Sequence, residues 1–306
     1  MTEHQESHGS ALSQISDQLA DASERASVSI VSVDARRRYG ASGIVWTDGI
    51  VVTADHVVEQ EDSITVTGQD GRRQIGALVG RDPDTDLAVL RVAGLAAPGI
   101  TRGQTPRVGS LALLVARPFG NPEASLAPIR AVASDARRRR QAPPLPVIGV
   151  DVTFRPGYSG GALVDVQGYL LGIATSGFGR GQGGGVVVSL PRVEQVVNSL
   201  LQHGRVRRGY LGITSQPVEI PDSMRGAVSE EQTRGLLILN VAPSSPAEQG
   251  GLLMGDILIT IADVPTRGPD DLRAALSAER VGVLVPVTVV RGGQSHTLSI
   301  TIGEQA

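Results

Sequence analysis

Short runs of β-branched and aliphatic residues, separated by Gly, Pro, Asp and Asn, dominate the chain from about residue 27 to 190. Apolar runs of four to eight residues bounded by turn-forming residues predict β-strands. The runs fall into two sets of six, with few helices between them, and this favours two closed or nearly closed antiparallel barrels. The strands are predicted near 28–33, 42–46, 50–53, 63–67, 73–80, 87–92, 110–116, 127–134, 147–152, 161–165, 168–175 and 185–190.

A helical pattern follows in "PRVEQVVNSLLQHG", where Pro191 suits the first turn and Gly204 suits the residue just past the end. Apolar residues recur there at i, i+3, i+4, i+7 and i+8, which gives one apolar stripe. A second unit of strands, with one helix over "PDDLRAALSAE", runs from Gly209 to the end. We predict a flexible and helical segment at 1–26, a double-barrel domain at 27–203 and an α+β domain at 204–306.

Composition and charge narrow the class of protein. The 306 residues are 41% hydrophobic and 19% charged, values typical of a soluble globular chain of about two domains. The net charge of −3 offers no general attraction to nucleic acid, and the arginine run Arg137–Arg140 is a local exception. The chain has no cysteine, which excludes disulfides, thiolate zinc sites and a cysteine nucleophile.

The start of the chain is polar and acidic and lacks the basic and apolar regions of a secretory signal. No apolar run reaches the 18 residues of a membrane span. These features predict a cytoplasmic protein without a membrane span, or a periplasmic or extracellular one if a leader has been removed.

The segment "PGYSGG", residues 156–161, places Ser159 between glycines. This pattern fits the nucleophile elbow of α/β-hydrolases, the nucleophile loop of trypsin-like proteases, or a plain turn. The elbow requires a helix directly after the serine and a histidine downstream of it. The following "GALVDVQGYLLGIATSG" alternates like β-structure, and neither His203 nor His296 lies in a plausible catalytic loop. The elbow is therefore disfavoured.

A trypsin-like arrangement requires a histidine and then an aspartate upstream of the serine. His56 follows an apolar strand and is the candidate base of the first barrel. Asp82 and Asp84 lie in a turn, whereas Asp86 directly precedes the apolar run "LAVL" and would need a hydrogen-bonding partner there. The order His56, Asp86, Ser159 predicts an active site in the cleft between the two barrels.

Several segments give the chain a specific resemblance, over about residues 27–304, to the HtrA/Deg family of trypsin-like serine proteases with a C-terminal PDZ domain. The resemblance implies a mainly β fold, with a chymotrypsin-like double six-stranded β-barrel followed by an α+β PDZ domain. The segments are "TADHVV", "DPDTDLAVLRV", "RPFGNP", "PGYSGGALVDVQGYLLGIAT", "GYLGI" and "GLLILNVAPSSPAEQGGLLMGDILITIADVPTRGPDDLRAAL".

The residue types fit acyl-transfer chemistry that needs no metal or organic cofactor. His56 would accept the proton of Ser159, and Asp86 would hold the imidazole in the required tautomer. The backbone N–H groups of Gly157 and Ser159 are the expected oxyanion-hole donors. Tyr158 departs from the Asn that is common at this position in the family, and Arg155 departs likewise.

The resemblance also implies substrates and partners. We expect cleavage of unfolded polypeptides after small or medium aliphatic residues, because the expected pocket walls, 153–156 and 172–176, carry no acidic residue. The peptide-binding loop is expected to comprise Tyr210, Leu211, Gly212 and Ile213, and a homotrimer is typical of the family. An inactive or chaperone-type PDZ binding protein remains the alternative. For the arginine run, both a solvated loop and contact with the PDZ domain or the oxyanion loop remain open.

Overall fold

The chain divides into two structural units, one ending at Arg205 and the other beginning at Val206. The computed structural model describes residues 11–36, 40–136, 145–176, 185–229 and 232–305. The arginine run Arg137–Arg140 lies outside the described residues, so the prediction about its role stays untested. The predicted boundaries of the three segments also stay predictions.

Six strands near the start of the first unit form a closed antiparallel barrel. They are β1 (Ile30–Asp34), β2 (Ala41–Thr47), β3 (Ile50–Ala54), β4 (Ile64–Thr67), β5 (Arg73–Asp82) and β6 (Leu87–Val92). Their order is β1-β2-β3-β6-β5-β4, and pairing of Ser32 with Thr67 joins β1 to β4 and closes the barrel. All five residues of β3 are buried, which explains why the strand is apolar except for Thr53, whose hydroxyl donates to the carbonyl oxygen of Ser42 at 2.7 Å. The first predicted barrel is confirmed.

A seven-stranded sheet takes the place of the second six-stranded barrel. Its strands are β7 (Leu113–Ala116), β8 (Glu123–Leu126), β9 (Ile129–Ala136), β10 (Leu145–Val150), β11 (Ala162–Val164), β12 (Leu170–Thr175) and β13 (Gly185–Ser189). Their order is β8-β7-β11-β12-β13-β10-β9, an open path through the described residues. The sequence analysis missed β8 because this edge strand, Glu-Ala-Ser-Leu, has no β-branched residue and no buried position.

Two helices accompany these strands in the first unit. α1 (Ala11–Ser27) buries Ala22 and Ala26 near its end, and Arg25 Nε donates to the carbonyl oxygen of Gln167 at 3.0 Å. The C-terminal end of the predicted N-terminal segment therefore packs against the strands of the first unit. α2 (Leu190–His203) ends as predicted, since Gly204 adopts the left-handed conformation with φ of 69°.

The strands of the second unit are β14 (Gly209–Tyr210), β15 (Ile213–Glu219), β16 (Arg234–Val241), β17 (Ile257–Ile261), β18 (Val264–Pro265), β19 (Leu284–Arg291), β20 (Gln294–Thr301) and β21 (Gly303–Glu304). Six of them form one sheet with the order β15-β16-β17-β19-β20, in which β18 pairs with β17. The helices of this unit are α3 (Pro246–Gln249) and α4 (Pro269–Ala275). β14 pairs with β21, so the first and last strands of this unit lie together. The predicted helix over 269–279 is shorter than expected and is followed by a 3-10 turn at Ala278–Arg280.

Candidate active site and peptide-binding loop

His56 lies in a 3-10 turn, Asp55–Val57, directly after the buried strand β3. Arg81 of β5 holds this turn: its guanidinium donates to the carboxylate of Asp55 and to the carbonyl oxygens of Asp55 and Val58. Burial is the largest single influence on the pKa of Arg81 and lowers it, but the hydrogen bonds and charges of Asp55 and Glu61 together raise this pKa above its ordinary value. The base candidate is therefore anchored to the barrel through its backbone, while its imidazole remains 26% exposed.

Asp86 meets His56 because β3 and β6 are paired at their ends. Ala54 lies opposite Leu87, which brings the residue before β6 next to the residues after β3. The Asp86 carboxylate is fully buried and accepts hydrogen bonds from His56 Nδ1 at 2.7 Å and from the His56 amide N–H at 3.0 Å. The hydroxyl of Thr175 donates to the same carboxylate. These donors compensate for the desolvation of a buried charge.

The backbone at Asp86 is left-handed, with φ of 59°. Asp tolerates this region better than most non-glycine residues, and here the conformation turns the carboxylate toward His56. The other two aspartates do not take this place: Asp82 is buried and accepts a hydrogen bond from the hydroxyl of Thr85 at 2.7 Å, and Asp84 is partly exposed. The structure thus brings His56 together with Asp86, as the sequence analysis predicted.

Ser159 lies in the loop that leads into β11, and this loop is tied to both sheets. Gly160 N–H donates to the carbonyl oxygen of Ala174 in β12, and Ser42 N–H of β2 donates to the carbonyl oxygen of Ser159 at 3.1 Å. Gly160 has φ of 84°, and a Cβ there would lie 2.6 Å from Thr53 Oγ1. A side chain at 160 would therefore clash with the first barrel, so the glycine permits the close approach that places Ser159 between the barrels.

The expected oxyanion-hole donors are the amides of Gly157 and Ser159. Gly157 has φ of 88°, and a Cβ at this position would overlap Pro118. Within the described part of the chain, neither amide N–H donates to a protein acceptor. Both groups are thus available to an oxygen of a bound substrate, and glycine at 157 is required by both backbone conformation and space.

Two residues of the site escaped the sequence analysis. Ser176 Oγ lies 3.2 Å from His56 Nε2 and 3.1 Å from Ser159 Oγ, and Thr175 contacts Asp86. For the described residues, the hydrogen bonds from the serine to the imidazole run through Ser176 and not directly. Both residues lie within the predicted pocket wall 172–176, but no motif marks them as neighbours of the triad candidates.

Tyr158, the departure from the family pattern, is buried in the core of the seven-stranded sheet and is 1% exposed. Its hydroxyl donates to the Glu123 carboxylate at 3.1 Å and lies 3.4 Å from Ser125 Oγ. The bulky side chain therefore lies in the core and not beside the Ser159 hydroxyl, and its hydrogen bond links the Ser159 loop to β8. The backbone donors on either side of it do not depend on its side chain.

The peptide-binding loop candidates Tyr210, Leu211, Gly212 and Ile213 connect β14 to β15. Gly212 has φ of 85°, and a Cβ there would lie 2.7 Å from Ser245 Oγ. Leu211 and Gly212 carbonyl oxygens accept from Ala247 and Ala242 amides, both at 2.8 Å. The N–H groups of Leu211 and Gly212 meet no protein acceptor among the residues that the structure describes. A loop with free successive N–H groups can receive a carboxylate.

Comparisons with known proteins agree with this geometry. The sequence model for a trypsin-like peptidase domain matches residues 41–173, and the model for a PDZ domain matches residues 209–302. The crystal structure of the serine endoprotease from Yersinia pestis is 30% identical, with a TM-score of 0.78, over 94% of this chain and 98% of that chain. The chain belongs to the HtrA/Deg family of serine proteases. The predicted chymotrypsin-like fold followed by a PDZ domain is therefore confirmed.

Other HtrA/Deg proteins support the same assignment. The structure described as "HtrA-type protease AlgW with decapeptide" is 28% identical, with a TM-score of 0.79, over 94% of this chain and 99% of that chain. A probable periplasmic serine endoprotease, DegP-like, from Chlamydia trachomatis serovar D is 32% identical over 271 residues, which is 86% of this chain and 53% of that protein. The chain thus spans about half the length of the curated relatives that it matches.

The names of these relatives bear on the predicted compartment. DegP-like relatives from Chlamydia trachomatis and Ectopseudomonas mendocina are both described as periplasmic, so the prediction of a cytoplasmic protein is not supported and the periplasmic alternative is. Across the described residues, no helix is both long and apolar enough to cross a membrane.

Proposed function

We propose that this HtrA/Deg chain is a serine endopeptidase in which Ser159 is the nucleophile, His56 the general base and Asp86 the residue that orients the base. One observation carries the proposal: His56 Nδ1 lies 2.7 Å from the fully buried carboxylate of Asp86, and this pair lies next to the loop of Ser159. A carboxylate only accepts hydrogen bonds, so it keeps the imidazole proton on Nδ1 and leaves Nε2 free to accept the serine proton.

The reaction then follows from these positions. Ser159 Oγ attacks the carbonyl carbon of the scissile bond while its proton passes to His56 Nε2, and the imidazolium returns the proton to the leaving amine. The N–H groups of Gly157 and Ser159 stabilise the oxyanion of the tetrahedral intermediate. Each donor of this kind contributes about 3–4 kcal/mol to the stabilisation of the transition state. A water molecule then attacks the acyl-enzyme in the same way, with His56 again acting as the base, and the acyl group leaves Ser159.

The substrates in this proposal are unfolded or damaged polypeptides. The segments 153–156 and 172–176 flank the nucleophile loop and carry no acidic residue, which disfavours cleavage after Lys or Arg. We therefore extend the proposal to small or medium aliphatic residues before the scissile bond.

The PDZ unit is proposed to bind C-terminal peptide segments. The support is the pair of N–H groups at Leu211 and Gly212, which meet no acceptor among the described residues, together with the solved structure described as "HtrA-type protease AlgW with decapeptide". A peptide would add as a strand beside β15, with its carboxylate on these amides. A periplasmic location and a homotrimer, which the family resemblance implies, complete the proposal.

The test is cleavage of casein by the wild-type chain beside Ser159→Ala, with Ser63→Ala as the matched control. Ser63 is an exposed serine of the same unit, hydrogen-bonded to Gln60. We expect Ser63→Ala to cleave casein like the wild type and Ser159→Ala to be inactive but folded by circular dichroism. Cleavage by Ser159→Ala at the wild-type rate would refute the proposal. Absence of cleavage in all three proteins would favour the alternative, a PDZ binding or chaperone-type protein.

A further inference from the structure

Ser176 separates the nucleophile from the base. Its hydroxyl oxygen lies 3.1 Å from Ser159 Oγ and 3.2 Å from His56 Nε2. Consecutive side chains in a strand point to opposite faces, but β12 ends at Thr175, and the chain turns at Ser176. The hydroxyls of Thr175 and Ser176 therefore both reach the triad, the first at Asp86 and the second at the opposite side of the imidazole.

Chemistry fixes the direction of these hydrogen bonds. In the form that can act as the base, the imidazole of His56 donates through Nδ1 to the Asp86 carboxylate, so its Nε2 is an acceptor. Ser176 must then donate its single hydroxyl proton to Nε2. With that proton used, Ser176 Oγ can only accept from Ser159, so the Ser159 proton points to Ser176 and not to the base.

We propose that Ser176 is a positioning residue that holds the resting site in a less reactive arrangement by competing with Ser159 for His56 Nε2. The inference rests on the proposed function and concerns the regulation of the same site. Proton transfer from Ser159 to His56 requires a direct hydrogen bond. The Ser176 side chain is exposed, so it can rotate away, and Ser159 then gains the vacated acceptor.

The size of the effect follows from a single hydrogen bond. An ordinary bond of this kind shifts the balance between two arrangements by a factor of about 2–10. Removing the Ser176 hydroxyl should therefore raise the reactivity of Ser159 by about 2–10-fold. The hydroxyl of Ser176 forms no bond in the resting state other than those to the two triad residues, within the described part of the chain, so its loss should leave the fold unchanged.

The test is the rate at which phenylmethylsulfonyl fluoride modifies the full chain, followed by intact mass. In this reaction Ser159 Oγ bonds to sulfur, fluoride leaves, and His56 takes the hydroxyl proton. We compare the wild type with Ser176→Ala, Ser176→Gly and the control Ser63→Ala, with Ser159→Ala for background. Both Ser176 variants should react about 2–10-fold faster than the wild type, and Ser63→Ala should react at the wild-type rate.

A second readout distinguishes a competing hydroxyl from a merely structural one. The ¹⁵N resonance of His56 Nε2 in Ser176→Ala should move away from the wild-type position, whereas Ser176→Thr, which keeps a hydroxyl donor, should restore it. An equal or lower modification rate in Ser176→Ala and Ser176→Gly overturns the proposal while leaving the endopeptidase assignment intact. Failure of the wild type and both variants to react at Ser159 overturns the endopeptidase assignment as well.

Discussion

Replacing Asp86 by asparagine tests the hydrogen-bond network around the base. The two carboxylate oxygens have separate tasks: Oδ1 accepts from the His56 amide, and Oδ2 accepts from His56 Nδ1 and Thr175 Oγ1. If the asparagine oxygen took the Oδ2 position, its NH₂ group would face the backbone N–H of His56, and both groups are donors. In the opposite orientation the asparagine oxygen accepts from the backbone N–H of His56, and the NH₂ group donates to His56 Nδ1 and to Thr175 Oγ1. This orientation is preferred, and it leaves the imidazole proton on Nε2.

The wrong tautomer removes the general base without removing any heavy atom from the site. In enzymes with this triad, the exchange lowers turnover by about four orders of magnitude. At 1.36 kcal/mol for each tenfold, this equals about 5 kcal/mol of lost transition-state stabilisation. The assay is the initial rate of casein cleavage at matched concentrations, together with thermal unfolding to confirm that the variant is folded.

Asp82→Asn serves as the matched control, because Asp82 is equally buried but bonds to Thr85. We expect this control to lose stability and to keep most of its activity when folded. If Asp86→Asn retained more than about a tenth of the wild-type rate, or if Asp82→Asn were the inactive variant, the assignment of Asp86 and the tautomer argument would both be wrong.

Three further changes probe the surroundings of the two sites. Thr175→Val removes a donor to the buried Asp86 carboxylate, so it should lower the free energy of unfolding by about 1.5–3 kcal/mol in chemical denaturation and slow cleavage; unchanged stability would contradict this. Tyr158→Phe loses the hydrogen bond to Glu123 and should lower the free energy of unfolding by about 1–2 kcal/mol in the same measurement. Cleavage by this variant should fall less than the loss of stability predicts only if other contacts also hold the loop. A peptide with a free C-terminal carboxylate should bind the Ser159→Ala variant of the whole 306-residue chain in calorimetry, and amidation of the peptide or Gly212→Ala should each remove most of the affinity. Equal binding of both peptide forms would exclude carboxylate capture.

Local sequence signals predicted much of the fold. The run before His56 predicted a buried strand because its residues are β-branched or apolar. Pro191 and Gly204 predicted the bounds of α2 because each residue suits one end of a helix. The edge strand β8 was missed because its composition does not favour strands. The number of strands in the second sheet could therefore not be predicted, because β8 forms by pairing with β7 and the local pattern does not encode that pairing.

The candidate site shows the same division. His56, Asp86 and Ser159 could be found because their order and flanking residues differ from those of an α/β-hydrolase. The contact of Ser176 with His56 joins residues 120 positions apart in the chain, so no local pattern could reveal it. The hydrogen bond of the Tyr158 hydroxyl likewise goes to Glu123, in a strand that the sequence analysis did not detect.

The most direct test of the central claim is to locate the covalent adduct left by a reactive serine-hydrolase probe. The wild-type chain and His56→Ala are treated with a fluorophosphonate and digested, and the modified peptide is identified by mass spectrometry. The proposed triad predicts a single adduct on Ser159 in the wild type and a labelling rate lower by orders of magnitude in His56→Ala. Labelling of another residue, or equally fast labelling of Ser159 in both proteins, would contradict it.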